Sequence, residues 1–323
     1  MAALVANRGT GVLSRDIADY PEGIIVPVDK PYRWTSADVV RKLKFAAKKH
    51  FGQKNLKVGH AGTLDPLATG VLIICIGKAT RLAEEIQRSD KEYVAGVTFG
   101  ATTPSYDLEK PIDKFYPTDG VTETAVAQAL QGFLGEQEQI APLFSAKSVD
   151  GVRAYELARK MYRDARSGSG MTVIAGSDRQ SLDSAAEALL SKQIIRITEV
   201  ELLSFATEKR IRPEAVGVWG SPSPSIDKSG SPQTASSRIC VNDYSSLGLP
   251  RAEVRLACSK GTYVRAFARD LGEALGTGAH LDSLCRTACG GFRASEALSL
   301  EQAAALFAAP QSTTVEISCS DEI

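Results

Sequence analysis

An α+β fold is predicted by three features of the chain. Short β-branched runs and amphipathic helical stretches are interspersed, without the regular strand–helix alternation that a parallel α/β sheet requires. Residues 71–76 (Val71, Leu72, Ile73, Ile74, Cys75 and Ile76) are apolar at every position, as a strand covered on both faces is. Residues 253–259 instead alternate, with Val254, Leu256 and Cys258 on one side, as a half-buried strand does.

In chain order, residues 1–22 read as a short disordered N-terminal extension, and residues 23–308 as the main domain. Residues 24–28 form a short apolar strand. Thr35 and Asp38 then make a capping box, with Trp34 and Val39 spaced as the hydrophobic staple around it. Val39, Val40, Leu43, Ala46 and Ala47 supply one apolar helical face, so the neighbouring lysines fall mainly on the other. Residues 71–76, 93–99 and 194–205 are strands. Val264, Phe267, Ala268, Leu271 and Leu275 form a helical stripe that Gly276 closes. Two variable insertions are expected, at about 163–190 and about 208–250. The first begins Gly/Ser-rich, and residues 217–237 of the second are dense in Ser, Pro and Gly, the composition of a flexible surface loop. Residues 309–323 read as a flexible tail.

A chain of 323 residues can bury a large core. Its 43% hydrophobic and 24% charged residues are ordinary for a soluble globular protein. No apolar run is long enough to cross a bilayer, and residues 1–14 lack a secretory hydrophobic region. The six cysteines (Cys75, Cys240, Cys258, Cys285, Cys289, Cys319) show no disulfide framework. Cys285 and Cys289 lie one helical turn apart, but no second pair or suitable histidine completes a zinc site, so no metal is expected. The expected compartment is the cytoplasm.

The net charge is zero, with 38 Lys+Arg against 38 Asp+Glu, which argues against a polyanionic partner until the distribution is considered. Residues 39–64 carry Arg41, Lys42, Lys44, Lys48, Lys49, Lys54 and Lys57 and no acid. A local positive field attracts phosphate whatever the overall balance. By itself such a run is a solvated helix face; its position directly before the next segment shifts the reading toward RNA.

That segment, residues 58–70, is the most constrained in the chain. One carboxylate, Asp65, sits among Gly59, Gly62, Gly70, small residues, Leu64 and Leu67. Pro66 excludes Asp65 from helical backbone, and the glycines permit tight turns around it. A lone Asp-Pro pair is most often a turn cap. A carboxylate shielded by leucines needs another reason to be there, and a catalytic loop supplies one.

Residues 58–80 resemble the signature of the TruB family, the tRNA pseudouridine-55 synthases, whose GHTGTLDPLATGVL pattern they match almost letter for letter. Asp29-Lys30-Pro31 with Trp34-Thr35-Ser36 is similar to the family's first motif, DKPxGxTS, with Arg33 standing where many relatives have glycine. Lys91-Glu92-Tyr93 resembles the segment carrying the active-site tyrosine. Ser145-Ala146-Lys147, Gly151 and residues 153–159 resemble the RNA-gripping insertion, expected over about 139–162. Residues 259–265, Asp270-Leu271-Gly272 and residues 278–281 resemble the last motif. The likeness spans about 24–300 in family order.

The resemblance implies the pseudouridine-synthase fold, a mixed and largely antiparallel sheet flanked by helices. It implies isomerisation of uridine to pseudouridine at position 55 in the T-loop of tRNA, by a monomer that needs no cofactor. The reaction breaks C1′–N1 and forms C1′–C5 with no atoms gained or lost, so a nucleophile, an orienting cation and a pocket suffice. Asp65 is then the nucleophile, attacking C1′ or the base ring. Arg265, in isolation a surface arginine, becomes a fork holding Asp65 bidentately and ionised. Tyr93 stacks on the everted uridine and is a candidate acid or base, with Tyr263 and Leu284 lining the same pocket. On residue type alone each of the three is equally a core position. His60, alone a structural histidine, takes the space the base vacates. Lys30 and Lys147 contact phosphate or support the pocket. Many relatives add a C-terminal PUA domain; little sequence follows Leu306, and its absence is expected.

Gly77-Lys78-Ala79-Thr80 is not an ATPase loop, because the upstream glycine is misplaced and Ala79 stands where Ser or Thr is needed. A glycosidase would want a second acid near Asp65, and residues 39–64 contain none. A non-catalytic RNA-binding protein would use the same basic helix and aromatics, but an Asp65–Arg265 pair is disfavoured for holding a polyanion. A guide-dependent pseudouridine synthase would be expected to carry a PUA domain and partner-protein surfaces.

Overall fold

The fully apolar run and the alternating run belong to one ten-stranded sheet. The computed structural model describes residues 2–144, 148–149, 152–153, 192–207, 239 and 241–308. In chain order the strands are β1 (Leu4–Val5), β2 (Ile24–Lys30), β3 (Val58–His60), β4 (Ala68–Ile76), β5 (Lys91–Phe99), β6 (Ala101–Thr102), β7 (Lys114–Phe115), β8 (Gly135–Gln139), β9 (Ser148–Val149), β10 (Val152–Arg153), β11 (Gln193–Ala206), β12 (Arg251–Cys258), β13 (Ala279–Cys289) and β14 (Phe292–Arg293). The helices are α1 (Ser36–Phe51), α2 (Ala83–Arg88), α3 (Glu123–Gln131), α4 (Val264–Ala274) and α5 (Leu300–Ala305).

The large sheet runs β1-β2-β4-β13-β5-β12-β11-β8, with β3 also on β4 and β14 on β13. Among the described strands of this sheet, β1 with β2 and β13 with β4 pair in parallel and the other pairs are antiparallel. This is the mixed, largely antiparallel α+β architecture that the chain's pattern and resemblance imply.

Strand β4 shows why its sequence carries no alternation. Leu72, Ile74 and Ile76 join the main core with Val39, Leu43 and Ala47 of α1 and Leu300 and Ala303 of α5. Val71, Ile73 and Cys75 join a second cluster with Ile25, Ala79, Ala294 and Ala297. Strand β12 has one such face: Ala252, Val254, Leu256 and Cys258 are buried, while Arg255 on the other reaches Glu201 and Glu199 of β11. The expected capping box at Thr35 and Asp38 is formed, and α1 stops at Gly52, whose left-handed φ of 63° an L side chain rarely adopts. Helix α4 ends one residue short of Leu275, with Gly276 at φ 68°.

Gly70 decides how the sheet closes around the site. A Cβ there would lie 2.2 Å from the carbonyl oxygen of Arg286, and its φ is +93°. Only glycine lets β13 come this close, so Leu284, Cys285 and Arg286 align beside Ala68, Thr69 and Gly70.

Residues 2–22 are not a disordered extension. β1 adds an edge strand to β2, Ala6 and Leu13 are buried, and the Leu13 N–H donates to Leu306 O. The end of the second insertion is likewise ordered. Asn242 donates from both its backbone N and its Nδ2 to Leu108 O, and the Tyr244 hydroxyl accepts from the Ile112 N–H. Apolar anchors that each contribute one residue leave no periodicity to read. The first insertion, the tail and Lys147 lie outside the described residues.

Candidate active site

The loop between β3 and β4 presents Asp65, and three separate elements fix that loop through its backbone. The Ser36 hydroxyl, in the first turn of α1, accepts from the Leu64 N–H (2.9 Å) and donates to Leu64 O (3.0 Å). The Arg33 N–H donates to Pro66 O, and the Lys30 ammonium donates to Pro31 O, Trp34 O and Pro66 O. Arg286, in β13, donates to Val71 O from Nε and to Gly62 O from Nη2. These are neutral carbonyls, so the buried cations act here as fasteners of the loop.

Lys30 therefore does not face a phosphate. It is fully buried, and burial pushes its pKa down to about 7 even though Asp65 and Asp29 pull it upward. Arg33 explains the glycine of the related motif: its φ is 62°, a left-handed turn that an L residue adopts at a cost of about 1 kcal/mol. The turn is kept, and the Arg33 side chain reaches Ile239 O at 2.8 Å.

Arg265 leads out of the first turn of α4 and meets Asp65 across 200 positions of sequence: Nε to Oδ2 is 2.8 Å. The contact is not the expected bidentate fork. Nη1 donates to Ser105 O (3.1 Å) and Nη2 to Phe144 O (2.9 Å), and Nε alone bonds Asp65. The Asp107 carboxylate stands 3.8 Å from the same Nε. Burial by itself would lower the Arg265 pKa, but Asp65 and Asp107 outweigh it and raise it, so the guanidinium stays charged. The asymmetry of exposure matters: the Arg265 side chain is 6% exposed and Asp65 38%. A buried cation thus holds one oxygen of a carboxylate that solvent reaches.

Asp107 joins the site although no motif in the sequence marks it. Its carboxylate accepts from the Ser105 hydroxyl and the Glu109 N–H. Tyr106 beside it has φ 56°, one of two non-glycine residues with positive φ among the described residues. Such strain persists where surrounding structure over-determines it, here through Leu281 N–H to Tyr106 O and the Arg269 guanidinium over the Tyr106 ring. The available signal was the polar run Thr102, Thr103, Ser105 and Asp107 directly after a buried strand.

The cavity at Asp65 is lined by Leu67, Ala68, Asp107, Leu108, Arg265 and residues 281–284, which include the expected Leu284. It holds about 20 Å³, room for about one water molecule, so a nucleoside must move a wall to bind. Tyr93, Tyr263 and His60 are not on its lining. Tyr93 lies in the main core opposite Arg286, and burial pushes its phenol up to about 12, with Arg286 pulling the other way. Tyr263 caps α4, its N–H and C=O both held by the Gln139 side chain. His60 ends β3; burial, helped by Arg286, lowers its pKa, so the ring is neutral at pH 7. Among the described residues no cluster could hold a metal ion, and no helix is long and apolar enough to cross a membrane.

Residues 48–177 match the TruB family pseudouridylate synthase N-terminal domain, and residues 265–316 match the tRNA pseudouridylate synthase B C-terminal domain. The tRNA pseudouridine synthase B of Phocaeicola vulgatus is 43% identical over 283 residues, 88% of this chain and 92% of that protein. The chain belongs to the TruB family of pseudouridylate synthases. The proteins of the same name from Bacteroides thetaiotaomicron and Bacteroides fragilis are 41% and 40% identical, each across 92% of its length. A solved Cbf5-Nop10-Gar1 complex aligns with a TM-score of 0.49 at 20% identity, over 93% of this chain and 61% of that one. Both TruB matches include half of the Asp65–Arg265 pair: Asp65 falls in the first and Arg265 opens the second.

Proposed function

We propose that this TruB family member isomerises uridine to pseudouridine at position 55, in the T-loop of tRNA, with Asp65 as the nucleophile. The observation that carries the reading is the 2.8 Å contact between a solvent-reached carboxylate and a buried guanidinium. The guanidinium is buried and anchored on two carbonyls, whereas the carboxylate it holds is open to solvent.

The chemistry follows from the geometry. Arg265, anchored on Ser105 O and Phe144 O, keeps Asp65 ionised and leaves the carboxylate directed at the cavity. Asp65 bonds C1′ as C1′–N1 breaks; the freed base turns, C5 bonds C1′ as the Asp65–C1′ bond breaks and returns the carboxylate, and the proton lost from C5 is matched by one gained at N1. Leu67, Ala68 and Leu284 give the detached base an apolar wall, and the small cavity limits water that would capture C1′. Asp107 shares the guanidinium and so positions it. Tyr93 lies two residues along β5 from Ala95, the partner of Leu284, and meets the base as the cleft widens. The protein acts as a monomer on the T-arm; most of residues 139–162, the expected RNA-gripping insertion, lies outside the described residues.

The test is incubation with a T-arm stem-loop transcript and mapping of pseudouridine at nucleotide resolution, for the unaltered protein and Asp65→Asn. The variant is expected to form no pseudouridine while its RNA affinity stays within about threefold. Normal turnover by Asp65→Asn would refute the nucleophile.

A further inference from the structure

A second concave feature lies at the far end of α1. Lys44 and Lys48 of the helix, Lys54 and Lys57 of the following loop, Gly59 of β3 and Thr80 wall an open basin with no acid on its lining. The four lysines come from two elements, and none forms an ion pair among the described residues. Lys44 and Lys48 share one helix face with Arg41, which is paired to Asp38, so the unpaired cations gather at the basin end of α1.

Two rulers in the fold set its distance from the nucleophile. Ser36 is bonded to Leu64 beside Asp65, and from Ser36 to Lys48 the helix climbs about 18 Å at about 1.5 Å per residue. Ala68 lines the Asp65 cavity, whereas Val58 and Gly59 pair with Ile76 and Cys75 at the other end of β4, about 26 Å away at about 3.3 Å per residue. The basin is therefore about 20 Å from the reacting nucleoside.

We infer that this basin grips the sugar-phosphate backbone of the substrate RNA at a point remote from the everted uridine. The inference rests on the functional reading above and adds a second footprint to it. Ammonium groups suit phosphate as point charges and carry no base readout, so the contact sets register and affinity rather than sequence. A hairpin with about five base pairs reaches about 15 Å at about 3 Å per pair and stops short of the lysines; a helix continued by further stacked pairs crosses them.

The experiment measures binding of full-length tRNA and of a five-pair T-arm hairpin by the unaltered protein and by Lys48→Glu/Lys54→Glu, at several salt concentrations. The double variant is expected to bind full-length tRNA at least tenfold more weakly, with a salt slope shallower by about two, and the hairpin within twofold of the unaltered protein. Equal loss for both RNAs would place the basin inside the T-arm footprint and overturn its remoteness. No loss for either would make it a solvated face. Unaltered protein that binds tRNA but forms no pseudouridine would refute the functional reading, and the binding comparison would still decide the basin.

Discussion

Replacing Arg265 with lysine keeps the charge beside Asp65 and removes the fork, which makes it the most informative single substitution. The guanidinium makes three hydrogen bonds, to Asp65 Oδ2, Ser105 O and Phe144 O, and lies 3.8 Å from Asp107. One ammonium on a shorter span cannot reach all of them. If it stays with Asp65, the Ser105 and Phe144 carbonyls lose their donor, at about 1 kcal/mol each in stability. If it turns to the carbonyls, Asp65 loses a charge-assisted bond of about 2 kcal/mol. Asp65 is more than one-third exposed, so water compensates part of that loss and the larger penalties of fully buried pairs do not apply. Loss of about 2 kcal/mol from the transition state slows turnover about 30-fold. Single-turnover conversion of a T-arm hairpin, with thermal unfolding in parallel, separates the two outcomes. A rate within threefold of the unaltered protein, at unchanged stability, would show that Arg265 acts only as a point charge and that its anchoring is irrelevant.

Three further outcomes follow from the same geometry. Asp107→Asn keeps the shape and the Ser105 contact but removes one of the two carboxylates flanking Arg265; about tenfold slower turnover with unchanged hairpin affinity is expected, and an unchanged rate would remove Asp107 from the site. Lys30 has a folded pKa of about 7 against an ordinary 10.5, so the unfolded chain binds more protons between those values and stability gains from Lys30 as pH rises through that window. Urea unfolding at pH 7 and pH 9.5 should show the unaltered protein gaining on Lys30→Met, and parallel changes in the two would contradict the buried charge. Gly70→Ala forces a Cβ into the Arg286 backbone at positive φ and should cost at least 2 kcal/mol, read as loss of soluble protein or a lowered Tm; normal stability would mean that β13 does not approach β4 so closely.

Much of the fold was legible because its signals are local. The capping box at Thr35 and Asp38, the alternation in β12 and the Gly276 stop each depend on residues within a few positions of one another. The order of the large sheet was not, since β4 pairs with β13 only because Gly70 removes a side chain from that contact. The order of the N-terminal residues is hidden for the same reason: Ala6 and Leu13 are buried by partners far along the chain, and single anchors leave no period.

At the site, the chemistry-bearing types were readable and their bonding was not. Asp65 stands out as a lone acid in a run of glycine and leucine, and the motifs bring Arg265 into view. Whether Arg265 spends two donors or one on Asp65 depends on Ser105 and Phe144, and of the two roles expected for Lys30, phosphate contact or support of the pocket, its buried bonds to the loop carbonyls fit the second. The sequence by itself determined which acid is the candidate nucleophile, which family the chain resembles and where its positive charge is concentrated, because these are properties of residue type and near spacing. Only the tertiary structure decided that Asp107 shares the guanidinium, that Tyr93 lies off the cavity lining and that the lysine basin lies about 20 Å from Asp65 at about 1.5 Å per helical residue. Those facts depend on which carbonyls and carboxylates distant segments bring together, and pairwise contacts across long loops leave no trace in local pattern.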